Sequence, residues 1–360
     1  MSETIYRLIQ EKLNNYAIGF PATQSGIEIK LLKKLFSEPD ARLFLELTLS
    51  LEDPQTIAKR TSRELSEVSN QLEEMAGKGL LFRLRRGEKI RYAAAPYVVG
   101  IYEFQVGRMD KEFAELSEAY FKEAMFASIS GTILPLRTIP VDQSIEPELQ
   151  IAPYADVKKI IAGKDKIAVL PCVCRVQQHQ LDSECDKPTE VCMAFGSHAD
   201  YYVENGWGRY VNQEEAQAVL DASEKAGLVA QPGSTINPGG LCNCCGDCCG
   251  LLRALKLIPN PADHVLNNYI AFVDREECTS CETCLDRCQI DAITMDHQDL
   301  ASINPARCIG CGLCITTCPA EALHLHSKPE SEQQLPFANS LKAAMETAAR
   351  RGISLDQLKK

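Results

Sequence analysis

Cysteine is missing from all of the chain before Cys172 and after Cys318, although the 360 residues include 17 of them. No apolar run approaches the roughly 18 residues that a membrane-spanning helix needs, so insertion into a membrane is not expected. The opening Met-Ser-Glu-Thr-Ile-Tyr has no basic stretch followed by an apolar segment, so no export and a cytoplasmic location are expected. Basic residues are in deficit, 38 Lys+Arg against 49 Asp+Glu, for a net charge of -11. That balance argues against nucleic-acid binding by the whole chain, though not by one basic patch. Phosphate loops, dinucleotide fingerprints and hydrolase elbows are also missing, so no catalytic residue is assigned and enzymatic activity is left open. Without an export signal, disulfide stapling explains the clustered thiols poorly. Thiols clustered in a reducing compartment hold metal.

What is present is an ordinary globular composition, 45% hydrophobic and 24% charged. Its length suggests about two to three domains. The expected fold class is α+β and multidomain, with four regions: a cysteine-free domain over 1–100, an α/β cysteine-rich domain over 101–260, a second cysteine-rich domain over 261–327 and a polar tail over 328–360. A short helix is expected in that tail from about Leu341 to Arg351, packing weakly if at all.

The first region reads as helix at Leu31–Phe36, Pro39–Leu51 and after Pro54. Thr61 with Glu64 suggests a capping box opening a helix whose face holds Leu65, Val68, Leu72 and Met75. Two alternating stretches around Arg86-Gly87-Glu88 signal a hairpin, and this order of helices then hairpin makes 1–100 a winged-helix-like domain in expectation. The groove-type helix is acidic (Glu64, Glu67, Glu73, Glu74), whereas the hairpin holds Arg83, Arg85, Arg86, Lys89 and Arg91. A basic hairpin can touch phosphates, but packing or protein contact is the favoured expectation, with DNA the lesser one. In the middle, a helix over Asp110–Phe126, strands at Leu136–Ile139 and Lys166–Leu170, and a capping box of Asn212 with Glu215 are expected.

An internal repeat is the strongest signal. Cys278, Cys281, Cys284 and Cys288 recur thirty residues on as Cys308, Cys311, Cys314 and Cys318, each set spaced C-x2-C-x2-C-x3-C. Flanks repeat as well: Ile290-Asp291-Ala292-Ile293 matches Ala320-Glu321-Ala322-Leu323. Zinc sites pair two distant knuckles instead of stepping three cysteines along one loop. The pattern resembles the bacterial two-cluster [4Fe-4S] ferredoxin domain. That resemblance implies two cubanes with crossed ligation: Cys278, Cys281, Cys284 and Cys318 on one, Cys308, Cys311, Cys314 and Cys288 on the other. One departure stands out, Cys288-Gln289 against Cys318-Pro319, and it puts the local loop shape in question.

Nine further cysteines precede the repeat: Cys172, Cys174, Cys185, Cys192, Cys242, Cys244, Cys245, Cys248 and Cys249. So many thiols are not bland core residues, and Cys242, Cys245 and Cys248 again step by three. With Gly208-Arg209 and Glu214-Glu215-Ala216, these cysteines resemble a poorly characterised group of multicluster iron-sulfur proteins of anaerobes carrying CxCR and CNCCxxCC. That likeness implies iron-sulfur binding and electron transfer and gives no substrate. Two groupings stay open. One puts a cluster on Cys172, Cys174, Cys185 and Cys192 and a second on four of the later five; the other draws one cluster from both stretches. The Cys-Cys-Gly triplets are similar to the noncubane motif of heterodisulfide reductases, but its long spacings are missing. Structural zinc is a further alternative. His179 and His198 are expected to be hydrogen-bonded or exposed, and Trp207 and Tyr210 to be packing residues.

The favoured expectation is an electron-transfer protein with two [4Fe-4S] clusters and one or two more iron-sulfur clusters in the middle domain. Its partner would be a redox protein, such as another iron-sulfur or flavin oxidoreductase. The alternatives are a redox-sensing transcription regulator with a DNA-binding winged helix, and a reductase with an open iron site.

Overall fold

The computed structural model describes residues 2–129, 132, 134–145, 151–183 and 185–354. Helices and several small sheets alternate, an α+β fold. The chain opens with α1 (Ser2–Asn14), whose Ile5, Ile9 and Leu13 form one buried stripe at helical spacing. Then come α2 (Ile27–Leu35), α3 (Glu38–Glu46), α4 (Pro54–Thr61) and α5 (Leu65–Gly77), followed by a hairpin of β1 (Phe82–Arg86) and β2 (Lys89–Ala93). Asp53 caps α4 by accepting from the Thr56 amide at 2.9 Å.

Thr61 is not a cap. It is the last residue of α4, and its hydroxyl donates back to the Ile57 carbonyl at 3.0 Å. The chain then breaks at Ser62 in a left-handed conformation, and α5 starts only after Glu64. The Ser/Thr-x-x-Glu pattern was met inside a helix end, where the hydroxyl has a nearer backbone partner.

The hairpin and α5 pack on the middle of the chain. The Tyr201 hydroxyl donates to the carbonyls of Ala76 (3.0 Å) and Leu81 (2.7 Å), and Phe82 stacks on His198 with ring centroids 4.6 Å apart. From α6 (Lys111–Tyr120) a π-turn leads into α7 (Phe126–Ser128); α8 (Val157–Ala162) follows. The central sheet has the order β5-β3-β4-β7-β6, with β3 (Ile167–Pro171), β4 (Glu190–Phe195), β5 (Arg209–Val211), β6 (Val229–Pro232) and β7 (Gly240–Cys244). Every neighbouring pair is antiparallel. Residues 136–139, expected as a strand, run along the outer side of β6 instead: the Arg137 amide donates to Pro232 (3.0 Å) and the Ile139 amide to Ala230 (3.2 Å).

Around this sheet lie α9 (Val173–Gln180), α10 (Ser197–Glu204), α11 (Gln213–Lys225) and α12 (Gly250–Lys256). Asn212 caps α11 as expected, accepting from the Glu215 amide at 2.8 Å. The repeat supplies β8 (Tyr269–Val273), α13 (Thr283–Arg287), β9 (Ile293–Met295), β10 (Ala301–Ile303) and β11 (Leu323–Ser327), paired as two antiparallel ribbons. The final helix, α14 (Ser340–Arg350), packs lightly, with Ala348 its buried residue and Leu341 and Met345 exposed. Its C-cap Arg351 donates to the Ala17 carbonyl (3.1 Å) and to Asn14 Oδ1 (3.3 Å) at the end of α1.

Candidate metal centres

All 17 cysteines are free thiols. The repeat folds as two similar loops. Ser280 and Gly310, Glu282 and Gly312, and Asp291 and Glu321 are equivalent pairs, all with positive φ. Cys278, Cys281, Cys284 and Cys318 line one hollow, together with Val273, Met295 and Leu323. Cys288 faces the other three: Cys308, Cys311 and Cys314 each feel its charge. The crossed pairing of the fourth cysteines is therefore present in the arrangement of the thiols. Burial pushes the Cys284 thiol up to about 11 and Cys311 to about 12. Such thiols ionise readily only when a cation takes the proton's place. Cys288 Sγ accepts the Ala292 amide at 3.2 Å, a contact suited to a thiolate.

Residues 271–325 match a family model, the 4Fe-4S dicluster domain. Thus the C-terminal part of the chain carries a dicluster ferredoxin-like unit. No curated protein and no solved structure matches the chain.

The two loops differ in their surroundings. In the first, Thr279, Ser280, Cys281 and Glu282 are exposed; in the second, Ile309, Gly310, Gly312 and Leu313 are buried. Glycine is required in the second for a packing reason. A Cβ at Gly310 would collide with the Tyr269 carbonyl, and one at Gly312 with the Ser144 hydroxyl. The Val141 amide donates to the Cys311 carbonyl at 3.0 Å. Around the exposed loop stand Asp274, Glu276, Glu277, Glu282 and Asp286, with Arg275 as the nearby cation.

The nine middle cysteines come together at one end of the central sheet. Cys172 caps α9 and Cys174 lies in its first turn. Cys192 is in β4; Cys242 and Cys244 sit two apart in β7 and so share a face; Cys249 caps α12. These six thiols form a closed ring of contacts: Cys172 with Cys174, Cys174 with Cys249, Cys249 with Cys244, Cys244 with Cys242, Cys242 with Cys192, and Cys192 with Cys172. Cys185, Cys245 and Cys248 form a separate group, with sulfurs all within 4.8 Å of one another. A single tetrahedral ion with metal-sulfur bonds of 2.3 Å sets its thiolates about 3.8 Å apart, so this group has the compactness of a one-ion site. Of the two groupings, the thiols are arranged as the second has it, drawn from both stretches; the first does not fit, because Cys185 lies with Cys245 and Cys248 and apart from the circuit of Cys172, Cys174 and Cys192. Strand pairing and helix caps decide this, and neither is visible in cysteine spacing.

Arg175 is fully buried between the two sets. Its Nη1 donates to the Pro188 carbonyl and its Nη2 to the Asn243 carbonyl, both at 3.0 Å, while Nε has no protein acceptor. Burial opposes its charge, but the surrounding thiols, Cys172, Cys245, Cys192 and Cys244, together outweigh burial and hold it firmly cationic. Hydrogen bonds from Cys174 and Cys192, aided by Arg175, keep Cys172 well below the ordinary thiol range. Glu103 lies near Cys242 and Cys249, accepting the Gly100 amide at 2.6 Å; burial, reinforced by those two thiols, pushes it up to about 8. Neither Arg175 nor Glu103 was assigned a role from the sequence, although Arg175 directly follows the Cys-x-Cys motif.

The histidines stand apart from the thiols. His179 is exposed and hydrogen-bonded to the Cys185 carbonyl at 3.1 Å, and His198 stacks on Phe82. Trp207 packs edge-on against Tyr201, but Tyr210 lies on the surface with its hydroxyl donating to Asp200 at 2.6 Å.

Proposed function

We propose that the protein is an iron-sulfur electron carrier that holds two [4Fe-4S] clusters on the crossed cysteine sets and at least one further cluster on the middle thiols. Bound clusters would supply one-electron redox chemistry. The observation that supports the carrier reading best is the contact between the two thiol-rich parts. The Gly246 amide, in the loop between Cys245 and Cys248, donates to Gln289 Oε1 at 2.7 Å, and Gln289 directly follows Cys288. Arg287 donates to the Glu224 and Lys225 carbonyls, and Arg307 to those of Lys256 and Ile258. Residues beside ferredoxin cysteines therefore clamp the dicluster unit to the middle of the chain. The buried Cys308–Cys314 loop faces the protein, and the exposed Cys278–Cys284 loop, with its acidic surround, offers a docking face to a basic patch on a partner oxidoreductase. The likeness to multicluster proteins of anaerobes fits this reading.

Two of the five basic hairpin residues are engaged within the protein, while Arg86, Lys89 and Arg91 stay exposed, so the regulator reading keeps only part of its support. Arg83 bonds Glu73 (2.5 Å) and Glu204 (2.7 Å), and Arg85 bonds the same two carboxylates at 3.1 and 3.2 Å. These arginines pin the hairpin to α5 and α10 and do not stand free for phosphates. Protein-film voltammetry of the anaerobically prepared chain on a positively charged electrode tests the carrier reading. Reversible one-electron waves that weaken as salt rises are expected; no reversible wave would refute it.

A further inference from the structure

The middle ring contains more thiols than a standard cluster uses. A [2Fe-2S] or a [4Fe-4S] cluster takes four cysteines. Here six sulfurs from three stretches of chain, Cys172/Cys174, Cys192 and Cys242/Cys244/Cys249, close one circuit of neighbouring thiols. The circuit is also wide. Among the described residues, only Cys185, Cys245 and Cys248 bring three sulfurs within 4.8 Å of one another, so no three sulfurs of the ring do. Thiolates on a single tetrahedral ion would stand about 3.8 Å apart. The ring is too wide for one ion and too rich in donors for one cubane.

The charge around the ring is a second, independent observation. Arg175 is a fully buried guanidinium that forms no ion pair with a carboxylate among the described residues, and its Nε is unpartnered. A buried cation without a counter-anion is strongly destabilising, because its lost hydration is not replaced. The groups that face it are thiols of both sets, Cys172, Cys245, Cys192 and Cys244. Arg175 is therefore placed as the countercharge to a strongly anionic centre.

We infer that Cys172, Cys174, Cys192, Cys242, Cys244 and Cys249 together hold one polynuclear iron-sulfur centre with more than four protein thiolates, separate from the site of Cys185, Cys245 and Cys248. This rests on the proposal that the middle domain holds an iron-sulfur cluster at all. Four terminal thiolates saturate a cubane, so the additional two must bridge irons or bind further ones. The centre then differs in kind from the ferredoxin cubanes.

The test is Mössbauer spectroscopy of the full-length, ⁵⁷Fe-labelled, anaerobically prepared protein and of six single variants, C172S, C174S, C192S, C242S, C244S and C249S. In the unaltered protein a component with inequivalent irons, distinct from that of the ferredoxin cubanes, is expected. Each variant should shift that component and leave the ferredoxin component in place, which also reports on folding. C185S, C245S and C248S should leave it unshifted. If two of the six variants leave the component unchanged, or if the unaltered protein shows only cubane irons beyond those of the ferredoxin unit, the six-thiolate assignment is overturned while the further cluster stands. Iron confined to the ferredoxin unit would overturn both. Where a variant loses the ferredoxin component too, the spectrum of the unaltered protein decides.

Discussion

Gln289 occupies the position that Pro319 holds in the second repeat, and its side-chain oxygen accepts the Gly246 amide at 2.7 Å. The departure from the repeat is thus a contact: a proline there would offer no acceptor to the middle cysteine loop. In Gln289→Pro the ferredoxin irons should stay, while the Gly246 amide loses its partner at a cost of about 1 kcal/mol. Amide hydrogen exchange at Gly246 should speed up several-fold. Unchanged protection would show that the contact does not hold the loop.

Crossed ligation predicts the outcome of Cys288→Ala. The cluster lost should be the one on Cys308, Cys311 and Cys314, which face Cys288, and not its neighbour on Cys278, Cys281 and Cys284. Paramagnetic NMR of the cysteine β-protons separates the two; selective loss of signals from Cys278, Cys281 and Cys284 would contradict the arrangement.

Glu118 couples stability to pH. Its carboxylate accepts Arg253 at 2.6 and 2.9 Å, and Gln177 and Gln178 at 3.1 and 3.0 Å, so it ties α6 to both α9 and α12, the helices capped by Cys172 and Cys249. Arg253 holds its pKa down at about 2. A depressed carboxyl stabilises the fold above its unfolded value of about 4.3, and that contribution is lost as pH falls toward about 2. Glu118→Gln should cost about 2 kcal/mol at neutral pH and flatten the stability profile between those limits. Denaturant melts at pH 7 and pH 3 check this, and an unchanged profile would remove Glu118 from the account.

Arg175 should set the potential of the middle centre. Replacing it with Met removes a cation beside Cys172 and Cys245, which favours the oxidised form. One charge several ångströms away at an intermediate dielectric implies a downward shift on the order of 100 mV, with Arg175→Lys recovering part of it. Potentiometric titration followed by EPR measures it; an unmoved potential would contradict the countercharge role.

The hairpin should not bind duplex DNA near physiological salt in either oxidation state, because Arg83 and Arg85 are held by Glu73 and Glu204. Tight, salt-sensitive binding to a defined site, lost in R85E/R86E, would restore the regulator reading.

The ferredoxin loops were legible because their ligand spacing is local: three cysteines wrap one short loop, and the repeat marks the second copy. The grouping of the middle thiols was not legible. It depends on β3, β4 and β7 lying side by side and on α9 and α12 starting at the same end of the sheet, contacts between residues far apart in sequence. The α1 helix was overlooked although Ile5, Ile9 and Leu13 carry its period, and the bonds from Arg351 to Ala17 and Asn14 join residues too far apart in sequence to be read from it. Gly310 and Gly312 against Ser280 and Glu282 did carry a readable signal of which loop is buried.

Iron and acid-labile sulfide counted on the full-length, anaerobically prepared chain test the central claim most directly. The dicluster unit accounts for about eight irons. The account predicts a total clearly above that, with sulfide rising in step. Eight irons with zinc on the remaining thiols would contradict it.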